Sequence, residues 1–186
     1  VAAVEAARSK PPRFGKVATI TASAVTSVGF GMMINPTWAS LPGYFFLGLV
    51  AGAILMLSKP LPSLTPILPT LAAFVVTLLA SWFVVETAND GLLRVISPAL
   101  VAAIPGMALA VGATELAASQ IISGASRLVF GMSQLALLVF GVIIGMHLAG
   151  PVAPQTPSSQ MGSWSLYLAI IVVGLSLSVY LSAPPG

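Results

Sequence analysis

Long uncharged stretches of apolar residues alternate with short polar or proline-rich connectors along the chain. The stretches cover residues 17–58, 60–85, 95–114 and 128–186. One crossing of a bilayer as an α-helix needs about 20 apolar residues, so the first and last stretches each accommodate two crossings and the middle ones accommodate one. The pattern predicts six transmembrane helices, at about 17–34, 43–58, 67–86, 95–117, 127–149 and 164–182.

Proline and polar residues mark where the two long stretches divide. Residues 35–37 (Asn-Pro-Thr) and 41–43 (Leu-Pro-Gly) predict a turn after the first span, and the Pro- and Ser-rich residues 150–163 predict a loop before the last. The predicted segments are a short basic head (1–16), a bundle of five transmembrane helices (17–149), the loop (150–163), and a sixth transmembrane helix with its tail (164–186).

Composition agrees with an all-α membrane protein. Of the 186 residues, 58% are hydrophobic and 6% are charged, and the mean hydropathy is +1.05. A soluble domain carries about 25% charged residues, so lipid must be the solvent for most of this surface. The few cations do not cluster along one face, which argues against a nucleic-acid partner. The absence of cysteine excludes thiol chemistry and thiolate metal sites.

The cations also predict the orientation. Cytoplasmic connectors of membrane proteins are enriched in Lys and Arg. If the N-terminus is cytoplasmic, Arg94 alone lies on the outer side, and both termini are in the cytoplasm. The cytoplasmic side then holds Arg8, Lys10, Arg13, Lys16, Lys59 and Arg127.

Pro105 and Gly106 interrupt the fourth predicted span. Proline removes a helix hydrogen bond and glycine allows a bend. A discontinuous helix frees backbone groups that hold substrates or ions in many transporters. The alternative is a kink that neighbouring helices tolerate.

Polar residues recur between the fourth and fifth spans. Glu115, Ser119, Ser123 and Arg127 follow one another every four residues, directly after Thr114. If this stretch is one helix, they share a face whose two charges are suited to the ammonium and carboxylate of an amino acid. The alternative is a cytoplasmic connector whose charges pair with each other or with lipid headgroups.

The fifth span contains two further polar side chains. Gln134 lies two helical turns after Arg127 and extends the polar stripe. His147 lies near the outer end, where interfacial hydrogen bonding and a proton relay are the two alternatives. Pairs of glycines four residues apart predict close helix packing; they are Gly48 with Gly52 and Gly141 with Gly145.

No motif in the sequence indicates an enzyme. His, Asp and Glu do not occur with the spacing of metal ligands, and no serine is accompanied by a plausible histidine and acid. Glycine-rich phosphate loops are also missing. We therefore expect neither catalysis nor a metal or cofactor.

Four segments in the second half of the chain resemble the threonine/serine exporter family. They are 97–109 (SPALVAAIPGMAL), 112–117 (GATELA), 122–128 (ISGASRL) and 131–141 (GMSQLALLVFG), and residues 28–35 (VGFGMMIN) are similar to the family's first membrane helix. The resemblance implies secondary export of small hydroxy amino acids or related small carboxylates, driven by an ion or proton gradient. It also implies a second homologous bundle, as a fused copy, a partner subunit or a homo-oligomer.

Two functional hypotheses follow. The first is a transporter module in a bacterial inner membrane, with lipid and a small-molecule substrate as its partners. Its expected substrate contacts are Asn35, Pro105, Gly106, Thr114, Glu115, Ser119, Ser123, Arg127 and Gln134. The second is a non-transporting structural subunit of a larger membrane complex, which the low charge and the glycine-rich faces also suit. A polar, wet cavity near Gly106 favours transport, and a dry, tightly packed bundle favours the structural subunit.

Overall fold

A computed structural model of the chain describes residues 15–57, 66–85, 90–151 and 159–180. These residues form α-helices and turns, with a single isolated β-bridge, so the predicted all-α class is confirmed for the described part. Residues 1–14 of the basic head and residues 152–158 of the Pro-rich loop lie outside the described residues. The helices are α1 (Lys16–Ile34), α2 (Leu41–Met56), α3 (Leu68–Leu79), α4 (Leu92–Leu100), α5 (Gly106–Ala117), α6 (Ile121–Ala149) and α7 (Trp164–Tyr180).

Each predicted span contains a helix, but the helices differ in length. By length and composition, α1 and α6 qualify as membrane-crossing helices, and α4 with α5 qualifies as a third if this bent pair is one span. The helices α2, α3 and α7 are shorter but apolar. A π-helical turn (Ala80–Val84) continues α3, and a 3-10 turn (Val101–Ala103) continues α4. A membrane bundle is therefore supported, and the count of six crossings stays a prediction.

Helices α1 and α2 pack closely because α2 presents glycine to serine on α1. A Cβ on Gly48 would lie 2.3 Å from the Ser27 hydroxyl oxygen, and one on Gly52 would lie 2.7 Å from the Ser23 Cβ. Ser23 also donates a hydrogen bond to the Gly48 carbonyl oxygen across this contact. The first predicted glycine pair is thus confirmed as a packing surface.

The second glycine pair brings α6 against α3. A Cβ on Gly141 would lie 2.4 Å from the Thr70 carbonyl oxygen, and one on Gly145 would lie 2.8 Å from the Thr77 Cβ. Backbones approach this closely only where a side chain is missing. The C-terminal half of α6 is therefore attached to the bundle through α3.

The hydrophobic core lies between α2, α3 and α4. On α4, Leu92, Val95, Ile96 and Ala99 are all buried. Their spacing of three and four residues places them on one helix face. Packing of this face fixes the direction in which the chain enters the break after α4.

Helix α7 covers α1. Thr26 of α1 and Ser176 of α7 share a 2.9 Å hydrogen bond, and both side chains are buried. At the end of this contact, the Met161 amide donates to the Pro36 carbonyl oxygen at 2.6 Å. The connection between α1 and α2 is thereby tied to the residues that precede α7.

The stretch from Thr114 to Arg127 is not one helix, and the shared face predicted for it is wrong. Helix α5 ends at Ala117, and Ser119 adopts a left-handed conformation with φ of 62°. A non-glycine residue in this region interrupts a right-handed helix. The chain instead folds back, and α5 packs on the N-terminal half of α6 as an antiparallel hairpin.

Candidate functional site

The helical structure is fully interrupted between α4 and α5. The two helical segments 92–103 and 106–117 meet at 63°, with Ile104 and Pro105 between them. Pro105 has no amide hydrogen and its ring clashes with a continuing helix. Short local bonds replace the helical ladder here: the Ile104 amide donates to Val101 at 3.2 Å and the Gly106 amide donates to Ile104 at 2.8 Å. The predicted interruption is therefore a true break rather than a kink within a continuous helix.

Gly106 begins α5 next to open space. The residue is exposed, and a Cβ built on it would meet no heavy atom within 4 Å. The first amides of a helix lack partners within the helix and carry partial positive charge. Apart from the Gly106 amide, which already donates to Ile104, the start of α5 is therefore chemically suited to a carboxylate.

Glu115 and Arg127 face each other across the hairpin. The Arg127 Nε lies 3.0 Å from one Glu115 carboxylate oxygen and 3.1 Å from the other. The Arg127 side chain is 53% exposed and that of Glu115 is 19% exposed. The two charges therefore pair with each other. They do not lie at opposite ends of one helix face.

The hydroxyl residues near this ion pair are Thr114, Ser119 and Ser123. Thr114 donates to the Val111 carbonyl oxygen at 2.8 Å. Ser119 is exposed in the turn, and Ser123 is exposed in the first turn of α6. These three residues are close to Glu115 and Arg127 in the sequence, but the described residues do not form an enclosed polar pocket around the ion pair.

The register of the hairpin places Gln134 beside the break. A Cβ on Gly131 of α6 would contact Leu109, and one on Gly124 would contact Leu116. In an antiparallel pair, a position three residues further along α6 faces a position three residues earlier on α5. Gln134, which is 7% exposed, therefore lies level with Gly106.

The candidate residues thus fall into separate groups. Glu115 follows Gly106 by nine positions, which is about 14 Å along a helix at 1.5 Å per residue. One small amino acid is too short to touch both ends of α5. Pro105, Gly106 and Gln134 form a break group, and the residues near Glu115 form a hairpin group.

An apolar groove of about 380 Å³ lies between α4 and α6, next to the helix break at Ile104. Leu100 and Ile104 line one side, and Leu138 and Val142 line the other. Ser97 is the one hydroxyl residue of its lining. The groove therefore suits an aliphatic group better than a charged one.

Asn35 belongs to a third group, at the end of the bundle where α1 stops. It donates from its amide nitrogen to the Tyr44 hydroxyl at 3.2 Å and to the Asp90 Oδ2 at 3.0 Å. Thr37 and Ser40 also contact the Asp90 Oδ2, at 2.8 Å and 2.5 Å. All five side chains are buried.

Asp90 was not expected from the sequence. An acidic residue between two predicted spans usually lies in a solvated connector, yet Asp90 is 1% exposed. Its Oδ1 atom is buried and has no hydrogen-bond partner among the described residues. The available signal was that the Asn-Pro-Thr turn at 35–37 and Asp90 both occupy connectors predicted on the same side of the membrane.

These features define the class as an α-helical membrane protein with a broken helix of the kind found in transporters. Residues 2–149 match the family described as "Putative threonine/serine exporter". The chain therefore belongs to the threonine/serine exporter family, as the resemblance implied. No curated protein and no solved structure matches the chain. Helix α7 lies beyond the matched residues.

Proposed function

We propose that this chain is a module of a secondary transporter that exports small hydroxy amino acids, such as threonine and serine, or related small carboxylates. Family membership over residues 2–149 supports the transport role. The observation that carries the proposal is the break at Pro105, because it opens the start of α5 beside Gly106. Helix starts of this kind bind substrate carboxylates in transporters with broken helices.

The proposed membrane arrangement has six crossings, with both termini in the cytoplasm of a bacterial inner membrane. Helix α6 supports it, because its 29 residues extend about 43 Å, whereas the hydrocarbon layer is about 30 Å thick. Its uncharged part starts after Arg127. The surplus length and Arg127 then lie at the cytoplasmic boundary, where cations are favoured.

We also propose a second bundle, or a second copy of this chain, as partner. Gly112 is the only residue of α5 that is buried. Large apolar side chains remain exposed along α5 and the first half of α6, including Met107 (77%), Val129 (66%) and Met132 (61%). Lipid and a partner bundle are both suitable neighbours for this surface.

The test is efflux of radiolabelled threonine and serine from proteoliposomes that contain the complete assembly. We expect Pro105→Ala to reduce efflux at least tenfold, because α4 and α5 can then join into a straighter helix. Pro98→Ala is a matched control, since Pro98 lies inside α4 but not at the break. Wild-type efflux by Pro105→Ala would show that the break is incidental.

The structural-subunit alternative rests on the apolar lining of the groove beside Ile104. It predicts that a dry interface, rather than a substrate, occupies this region. Comparison of wild-type assemblies with assemblies that carry Gln134→Leu separates the two. A transporter shows wild-type efflux that the variant loses or shifts to another substrate, whereas a structural subunit keeps its assembly and shows no efflux in the wild type or in the variant.

A further inference from the structure

We propose that Asp90, Thr37 and Ser40 form a binding site for a monovalent metal cation of the sodium type. The site lies where the α1–α2 connection meets the start of α4. It involves none of the residues of the break group or the hairpin group.

The charge of Asp90 is the first argument. The carboxylate is 1% exposed, and among the described residues no Lys, Arg or His forms an ion pair with it. Isolated buried charge is costly, and buried charges are normally paired or bound to metal ions. One positive charge at this place would neutralise the site.

The distribution of hydrogen bonds is the second argument. Asn35, Thr37 and Ser40 all contact the Oδ2 atom of Asp90, whereas its Oδ1 atom is buried and has no hydrogen-bond partner in the part of the chain that the structure describes. A carboxylate oxygen of this kind is an acceptor that lacks its donor or its cation. Oδ1 is therefore the first ligand that we assign.

The two hydroxyl groups supply further ligands. The Thr37 and Ser40 oxygens lie 2.7 Å apart, and both approach the Asp90 Oδ2. Two hydroxyl hydrogens serve three close oxygen–oxygen contacts, so lone pairs remain on both hydroxyl oxygens. A cation that bridges Oδ1 and one of these hydroxyl oxygens would use those lone pairs.

The ligand chemistry selects the kind of ion. Carboxylate and hydroxyl oxygens are hard ligands that suit alkali and alkaline-earth cations rather than transition metals. One carboxylate balances one positive charge. Asp90 is the one acidic side chain among the described residues of this cluster, which disfavours a divalent ion.

The experiment measures thermal unfolding of the purified full chain in detergent, at fixed pH, as sodium chloride replaces choline chloride at constant ionic strength. We expect a saturable rise of several degrees in Tm with sodium, since a ligand of the native state stabilises it. Asp90→Asn should abolish the sodium-dependent rise. Thr37→Val and Ser40→Ala should weaken the apparent affinity at least tenfold, and Glu115→Gln should leave it unchanged as the matched control.

Three outcomes would overturn the proposal. The first is a Tm that stays the same as sodium replaces choline, and the second is sodium stabilisation that survives in Asp90→Asn. The third, seen when the titration is repeated at a lower pH, is stabilisation by acid with no dependence on sodium, which would identify a proton as the occupant. If Asp90→Asn does not fold, unchanged sodium affinity in Thr37→Val and Ser40→Ala decides against the site. Because no transport is measured, failure here leaves the exporter proposal standing.

Discussion

Gly112 of α5 and Gly124 of α6 pack backbone against backbone. A Cβ on Gly112 would lie 3.1 Å from the Gly124 carbonyl oxygen, and a Cβ on Gly124 would lie 2.8 Å from the Gly112 carbonyl oxygen. Gly112 is also the buried residue of α5. This contact therefore holds the hairpin together and positions both the break group and the hairpin group.

We expect Gly124→Val to destabilise the protein by about 1–3 kcal/mol, because overpacking a tight contact forces backbones apart. Thermal unfolding in detergent measures the effect. Gly174→Ala is the control: a Cβ on Gly174 of α7 meets nothing within 4 Å, so its helix propensity should stabilise α7 by up to about 1 kcal/mol. A Gly124→Val protein as stable as the wild type would contradict the close packing of α5 and α6.

The Glu115–Arg127 pair should contribute little to stability. Arg127 is more than half exposed, and exposed ion pairs are worth about 0–1 kcal/mol. A double-mutant cycle with Glu115→Gln and Arg127→Ala, measured by thermal unfolding, should give a coupling energy within that range. If the coupling energy is this small and either variant still strongly reduces efflux, the pair acts on the substrate rather than on stability. Unchanged efflux in both variants would remove the pair from the mechanism.

The helices were largely predictable from the sequence because membrane helices follow from the spacing of charges and prolines. The interruption at Pro105 was predictable for the same reason, since proline acts through its own covalent structure. The turn at Ser119 was not. Glu115, Ser119, Ser123 and Arg127 have helical spacing, and only the approach of Gly112 to Gly124 shows that the chain reverses between them.

The sequence suggested candidate residues one by one, and their contact with substrate stays a prediction. Their division into groups, and the place of Asp90 among them, could not be predicted. Asn35 is buried, and its partner Asp90 lies 55 positions away in the sequence. Contacts over such separations depend on how α1 and α4 pack. A single sequence contains the residues that meet, but it contains no direct signal for the meeting itself.

The Thr26–Ser176 hydrogen bond should anchor α7 to α1. Thr26→Val keeps the shape of the side chain and leaves the buried Ser176 hydroxyl with one partner fewer. We expect a loss of about 1–3 kcal/mol, measured by thermal unfolding. In the double variant Thr26→Val with Ser176→Ala, part of the loss should be recovered, and additive losses would show that the two hydroxyl groups do not interact.

The membrane arrangement is testable with single cysteines, because the chain has none of its own. Gln120, in the turn between α5 and α6, and Ser159, before α7, are both exposed. With six crossings, a membrane-impermeant maleimide should label Gln120→Cys only after the cells are opened and Ser159→Cys in intact cells. If α4 and α5 instead form a re-entrant loop, as their 63° bend also permits, α6 starts on the outer side and both results are exchanged. That exchange would leave the helices as described, but it would move Arg127 to the outer surface and would contradict the proposed cytoplasmic location of the hairpin group.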